Sequence, residues 1–282
     1  IAAEIIEQTK KLYGLDKPVH IRYLRWITNV VQGNLGRSFQ HNRPVRDLLA
    51  ERVPLTLVVT MVALIFSWAV AIPIGIFSAV RQYSVFDYLF TTLGFVGLAM
   101  PTFLLALVVM WIAFSQFGFS ASGLFSSDYI DAPWNWAKVL DLIKHLPIPA
   151  LIIGIGGTAW LIRIMRGNLL DELRKPYVTT SRAKGLKETK LLLKYPVRIA
   201  INPLISTIGW TLPQLFSGST LVAIVLNLQT VGPVLFSALL SQDMYVAGSI
   251  LLILSTLTVI GTLISDILLA WVDPRIRFGG AG

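Results

Sequence analysis

The sequence has 282 residues and no cysteine. Disulfides, thiolate zinc sites and a catalytic thiol are excluded, and the redox compartment is left unmarked. Charge is also scarce: 14% of residues are Asp, Glu, Lys or Arg, against roughly a quarter in soluble domains. No GxxxxGKS/T phosphate loop occurs. The glycines at 154, 156 and 157 lead to Thr158 without a Lys, inside an apolar run, where close helix packing is the expected role. His, Asp and Glu do not cluster at metal-ligand spacing, and His20, His41 and His145 are isolated and read as surface residues. The chain is therefore expected to carry no catalytic residues, metal or cofactor of its own.

Absence of charge is most pronounced in five runs without Asp, Glu, Lys, Arg or His: 54–80, 88–115, 146–162, 203–227 and 244–265. A membrane span needs about 20 mostly apolar residues. Four runs exceed that, and 146–162 is shorter and glycine-rich. Mean hydropathy is +0.69. None of the runs sits at the N-terminus behind a basic region, so none reads as a signal peptide. The runs are continuously apolar, which excludes the alternating strands of a membrane barrel. The expected fold class is an all-α integral membrane protein with five spanning helices.

Charge then sets the orientation. Residues 163–198 hold ten basic residues against Asp171, Glu172 and Glu188, a net of +7. Residues 116–145 carry Lys138 and Lys144 against Asp128, Asp131 and Asp141, a net of −1, and 228–243 has no basic residue. Lys and Arg concentrate on the cytoplasmic side of spanning helices. Residues 163–198 are thus expected inside, with Arg81, Arg275 and Arg277, and the other two connections outside. The net charge of +9 is accounted for by topology and membrane lipid, with no nucleic acid partner.

Residues 1–53 resist this pattern, with nine basic and five acidic residues on the side that alternation makes external. A further spanning helix before Ile1 would resolve the conflict, giving six spans. The stretch HIRYLRWITNVVQG places Ile21, Leu24, Trp26, Ile27, Val30 and Val31 at near-helical spacing, with Gly33 as a stop. Pro44 suits a helix start, and Pro54 is expected to open the first span. Two readings fit these helices: amphipathic elements at the interface, or a lid packed on the protein. The expected division is an external segment, 1–53, and a transmembrane domain, 54–282, with a cytoplasmic loop at 163–200.

In that loop, YVTTSRAKGLKETKLLLKYPVR holds six basic residues and one acid. Pro176 is placed to start a helix. Arg182 and Lys184 sit in its last turn, where cations favour the negative end of the dipole. Gly185 follows where a positive φ closes a helix, and Leu186 offers the accompanying apolar contact. A second helix carries Leu191–Leu193, and Pro196 bends or ends it. The caps and apolar patch predict a docking element.

The stretch YVTTSRAKGL resembles the cytoplasmic loop of inner-membrane permease subunits of binding-protein-dependent ABC importers. More narrowly, it is similar to the oligopeptide/dipeptide/nickel permease family. Gly185 fits the glycine of the wider group's Glu-Ala-Ala signature, whose first positions are here Thr179, Thr180 and Ser181. GLDKPVHIRYLRW, GNLGRSF, RPVRDLLAERVPLTL, IPIGIFSAV, AMPTFLLAL and DPRIR also resemble the family along nearly the whole chain. STLVAIVLNLQTVGPVL departs by lacking an acidic residue, which leaves peptides and oligosaccharides both open as cargo.

The resemblance implies alternating access in an assembly. Its partners are a second homologous permease, two ATPase subunits that bind ATP and Mg, and an extracytoplasmic substrate-binding protein. It also implies a coupling helix at Thr180, Arg182, Ala183, Lys184, Gly185 and Leu186. For the pathway, Ser206, Trp210, Gln214 and Ser217 share one helix face by spacing, a pattern that suits pore lining and helix packing alike. A self-sufficient carrier or channel is the rival class. It fits less well, because Asp266 is the one ionisable residue in the spans.

Overall fold

The computed structural model describes residues 16–209, 211, 213, 214 and 219–272, together with Glu7. Trp210, Ser217, Arg275, Arg277 and the DPRIR stretch lie outside the described residues. Among the described residues there is no strand, and the helices run α1 (Val19–Val31), α2 (Val45–Val80), α3 (Val85–Ala99), α4 (Thr102–Phe117), α5 (Trp136–His145), α6 (Pro147–Leu173), α7 (Pro176–Ala183), α8 (Glu188–Lys194), α9 (Pro196–Ala200), α10 (Asn202–Ser206), α11 (Thr220–Val225), α12 (Val231–Leu240) and α13 (Met244–Val272). The chain is an all-α membrane protein. Three helices, α2, α6 and α13, are long and apolar enough to cross a bilayer, and the pair α3–α4 makes a fourth if taken as one span.

The remaining expectations meet the structure unevenly. Pro54 does not open a helix: α2 starts at Val45 behind Pro44 and runs through Pro54, so its charged first turns and the charge-free stretch from 54 are one helix. Proline at 54 removes one donor, the partner of the Ala50 carbonyl. Ala50 is exposed, so water can satisfy that carbonyl and the helix continues. The run 88–115 is not one straight helix. It breaks at Met100–Pro101 with a bend of 102°, because Met100 is extended (φ −85, ψ 124), as the residue before a proline prefers. The run 146–162 continues as α6 through Arg163 and Arg166 to Leu173. The run 203–227 holds α10 and α11 with partly described residues between them.

Helices α2 and α6 form the centre and run parallel. A Cβ on Gly154 would lie 2.8 Å from Phe66 Cδ1 and 3.0 Å from the Ala63 carbonyl, and one on Gly75 would lie 2.7 Å from Met165 Cβ. These glycines let two backbones approach where lipid gives no hydrophobic drive for association. The Ser67 hydroxyl adds a hydrogen bond to the Gly154 carbonyl at 2.8 Å. At the basic end, Ala71, Ala79, Leu161, Met165, Leu169, Val197 and Leu204 form one buried cluster. There α13 joins through Ser265, whose hydroxyl donates to the Ile205 carbonyl at 2.7 Å, and through Arg198, whose Nε donates to the Val272 carbonyl at 2.9 Å.

The far end is ordered by buried polar groups. Asp243 is 1% exposed. It accepts from the Ser38 hydroxyl at 2.6 Å and the Gln40 amide at 3.2 Å, pinning residues 34–44 to the start of α13. Asp141 accepts from the Ser126 hydroxyl at 2.6 Å and amide at 2.7 Å. His145, read above as an isolated surface residue, instead places Nδ1 2.8 Å from the Asp141 carbonyl. Helix α1 has no buried residue and rests on α13 by Trp26, which would sit 3.3 Å from a Cβ on Gly248.

The two glycines of α6 should respond differently to one added methyl. Gly154→Ala meets the α2 backbone and should lower stability by about 1–3 kcal/mol, the usual cost of overpacking. Gly157→Ala meets nothing within 4 Å and should leave the unfolding temperature of the detergent-purified protein unchanged or slightly raised, since alanine favours helix. Equal losses in the two variants would refute the tight α2–α6 crossing.

Candidate functional site

The basic element begins where α6 ends. Glu172 is 8% exposed and binds Lys175 Nζ at 2.8 Å. It also accepts from the Tyr177 hydroxyl at 2.6 Å. This braces the corner between α6 and α7, and Pro176 takes the first position of α7, where its missing N–H costs nothing. Val178 is fully buried and anchors the helix. At its other end Gly185 has φ +77. Its amide donates to the Arg182 carbonyl at 2.9 Å, and the Leu186 amide donates to the Ser181 carbonyl at 3.4 Å. That pair of bonds is a Schellman motif, so the helix stop read from Gly185 is present.

Beyond the turn, α8 folds back, with Leu191 fully buried and Leu193 59% exposed. Arg182 and Glu188 clasp the two helices across the glycine: Nε to Oε2 at 3.0 Å and a terminal nitrogen to Oε1 at 2.6 Å. The Arg182 hydrogen bond holds the Glu188 carboxyl below its usual range, outweighing a smaller effect of burial. Of the six residues expected to couple, Thr180, Arg182, Ala183, Lys184 and Gly185 are exposed and Leu186 is half-buried. They form one contiguous outward-facing edge. Thr180 uses its hydroxyl on the Pro176 carbonyl at 3.0 Å, and Arg182 is committed to Glu188, which leaves Lys184 as the cation of the six without a partner among the described residues.

A residue pair missed in the sequence braces α6 before it reaches this element. Asp87 is 2% exposed. It receives Arg166 Nε at 2.9 Å and a terminal nitrogen at 2.8 Å, with the Tyr83 amide at 2.9 Å. A bidentate pair of this kind is among the stronger protein contacts. It joins the turn after α2 to α6, two turns before α6 meets α7. The available signal was Ser84 three residues before Asp87, a helix-start pattern: the Asp87 amide donates to the Ser84 hydroxyl at 3.2 Å.

Half-way along α2 and α6 lies a cavity of about 400 Å³. Ser67, Thr102, Trp160, Thr211 and Gln214 line it with apolar residues from α2, α3, α6 and α11. Gln214 is one of the polar residues bordering it. Ser206 does not line the cavity, and its hydroxyl donates to the Asn202 carbonyl at 3.1 Å within its own turn. Gly156 and Gly157 both border the space, so the glycine cluster serves packing at Gly154 and opens room at Gly157. Among the described residues no group of three or more His, Asp or Glu is placed to hold a metal.

Residues 71–278 match the family described as "Binding-protein-dependent transport system inner membrane component". The chain is 35% identical to the oligopeptide transport system permease protein AppB of Bacillus subtilis (strain 168), over 96% of this chain and 85% of that one. It is 32% identical to the dipeptide transport system permease protein DppB of Escherichia coli (strain K12), over 94% and 83%. Among solved structures, the inward-facing MetNI methionine ABC transporter matches with a TM-score of 0.61 at 18% identity, covering 80% of this chain and 96% of that one. That likeness speaks for the fold.

The clasp across Gly185 should respond to acid. The Glu188 carboxyl is depressed in the folded chain, so its contribution is present above the usual carboxylate range and is lost as pH falls through the depressed value. Amide exchange over residues 183–190, corrected for the intrinsic rate, should rise as pH falls from neutrality to below the usual carboxylate range. Glu188→Gln should raise it at neutral pH and remove the dependence. Exchange that is flat in both proteins would rule out a stabilising clasp.

Proposed function

Because the chain belongs to the family of binding-protein-dependent transport system inner membrane components, we propose that it is the transmembrane permease subunit of an ATP-driven importer of oligopeptides or dipeptides. It forms half of the translocation pathway in a bacterial inner membrane. The observation that carries this reading is the braced, outward-facing α7–turn–α8 element between two membrane segments. Its exposed edge is a docking surface, and its root is tied into the bundle by Glu172 and by Asp87–Arg166. The relatives named for peptide transport supply the cargo class.

In this reading the face with α7 and α8 is cytoplasmic. Two separate ATPase subunits bind ATP and Mg and close on nucleotide, pushing on Lys184, Ala183, Thr180 and Leu186. Arg182 acts inside the element, keeping α8 folded against α7. A second homologous permease completes the pathway, and an extracytoplasmic binding protein delivers cargo to the far end. Thr211 and Gln214 offer polar groups to the cargo in the central cavity, with Trp160 as a flat apolar wall. Ser206, Trp210 and Ser217 belong to the same pathway segment. Residues 1–53 are the external segment and 54–282 the permease domain, with the coupling loop at 163–200.

Alternating access follows if the bundle responds as a unit. Asp87–Arg166 makes the α2–α3 turn and α6 move together, so displacement of α7 reaches the walls of the central cavity. A reporter fused after Lys187 should read as cytoplasmic and one near Ser122 as external, and the reverse pattern would overturn the orientation. Gly185→Val forces a β-branched residue to positive φ, at a cost of order 1–3 kcal/mol. Transport-coupled ATPase activity of the reconstituted complex should fall severalfold while insertion persists. Lys184→Glu should also uncouple, and Lys194→Glu, past the turn, should have little effect. If the two charge reversals act alike and anionic lipid restores both, the element binds lipid instead of an ATPase.

A further inference from the structure

The far end of the bundle holds two adjoining cavities of about 460 and 440 Å³. Arg52, Ile130 and Gln229 line both, so the cavities are two lobes of one vestibule. Their size lies in the range of small-ligand sites, about 300–1,000 Å³. Leu55, Phe125 and Trp134 wall one lobe and Pro233 and Val234 the other.

The charges around it are mostly spent. Arg43 binds Glu51 at 2.5 Å. Lys138 Nζ donates to the carbonyls of Ala132 at 2.7 Å and Ile130 at 3.2 Å, and lies 4.9 Å from the Phe125 ring centre. Asp131 is exposed at the border of one lobe and His41 at the border of the other. Arg52 differs: its Nε is buried without a hydrogen-bond partner among the described residues. A buried guanidinium N–H without an acceptor is costly. Thr230 repeats the pattern beside it, being 4% exposed with Oγ1 buried and unpartnered. Gln229 accepts from the Leu124 amide with its carbonyl oxygen at 3.3 Å, which leaves its NH₂ to donate.

These are donors awaiting an acceptor. A guanidinium fork matches a carboxylate. One uncommitted cation, with Glu51 and Asp131 at the border, suits a single negative charge better than a phosphate dianion. We propose that this vestibule receives the terminal carboxylate of the transported peptide on Arg52, with Thr230 and Gln229 as further donors, before the cargo descends to the central cavity. The proposal rests on the importer reading above. Arg52 and Ser67, one at each cavity, are 15 residues apart on α2, about 22 Å along its axis.

The test uses the purified complex with its ATPases and binding protein in proteoliposomes. The probes are one tripeptide with a free C-terminal carboxylate and the same tripeptide as its C-terminal amide. Each is supplied at concentrations that saturate the binding protein, so that its own preference does not enter. Arg52→Gln should slow uptake of the free acid about tenfold, the effect of losing one charge-assisted contact, and leave the amide unchanged. Thr230→Val should slow the free acid severalfold. Should Arg52→Gln fail to assemble, Arg52→Lys decides, because it keeps the charge and loses the fork; the free acid alone should slow. Equal slowing of both peptides, with lost ATPase stimulation by unliganded binding protein, would assign Arg52 to docking that protein and overturn the proposal. Unchanged uptake of both peptides would also overturn it. Absence of free-acid uptake by the wild-type complex would sink the importer reading and this one with it, whereas uptake insensitive to Arg52→Gln sinks this one alone.

Discussion

The crossing of α2 and α6 is the contact on which the rest hangs. Between membrane helices there is no hydrophobic gain from association, because lipid tails are as apolar as leucine; packing and hydrogen bonds must supply the attraction. Here they do so at Gly154 against Ala63–Ser67 and at Gly75 against Met165. Both ends of the molecule inherit their position from this pair. The start of α2 carries residues 34–44 and one wall of the cavities at the far end. The end of α6 carries the corner at Glu172 and everything built on α7.

A close crossing alone would let the helices slide. The Asp87–Arg166 pair, buried at its carboxylate, prevents that at the basic end. Burying a charge is costly, and it is tolerable only when its hydrogen-bonding capacity is met. Two guanidinium bonds and the Tyr83 amide meet it for Asp87. The far end uses the same device with neutral donors: Ser38 on Asp243 and Ser126 on Asp141. Each buried carboxylate is bound by a segment distant in sequence, so each fixes a loop that would otherwise choose among many positions. The central cavity is left between these two anchored ends.

What could be read from the sequence follows the range of each interaction. The stop at Gly185, the start at Pro176 and the break at Pro196 depend on neighbours within five residues, and the structure contains all three. The outward-facing edge at 180–186 follows from them. Pro101 bends a run that the sequence reads as one span, because the residue before it is held extended. Pro54 lies inside a helix because its lost hydrogen bond falls where water reaches, and no local pattern reveals that. Spacing placed Ser206 and Gln214 on one face; Gln214 borders the cavity, whereas the Ser206 hydroxyl is used on the Asn202 carbonyl in its own turn. Arg52, Asp87 and Arg166 read as ordinary charges at the borders of apolar runs. Only the fold separates the paired ones from the one left without a partner.

Helix α2 has 36 residues and is about 54 Å long, against a hydrocarbon layer of about 30 Å. Part of the surplus is the charged start, 45–53; the charge-free stretch 54–80 is about 40 Å long and tilts to fit. Membranes of different lipid composition differ by a few ångströms, and that tilt follows them. The distances along the shaft, from the first turn of α2 to the basic end, remain a property of the protein.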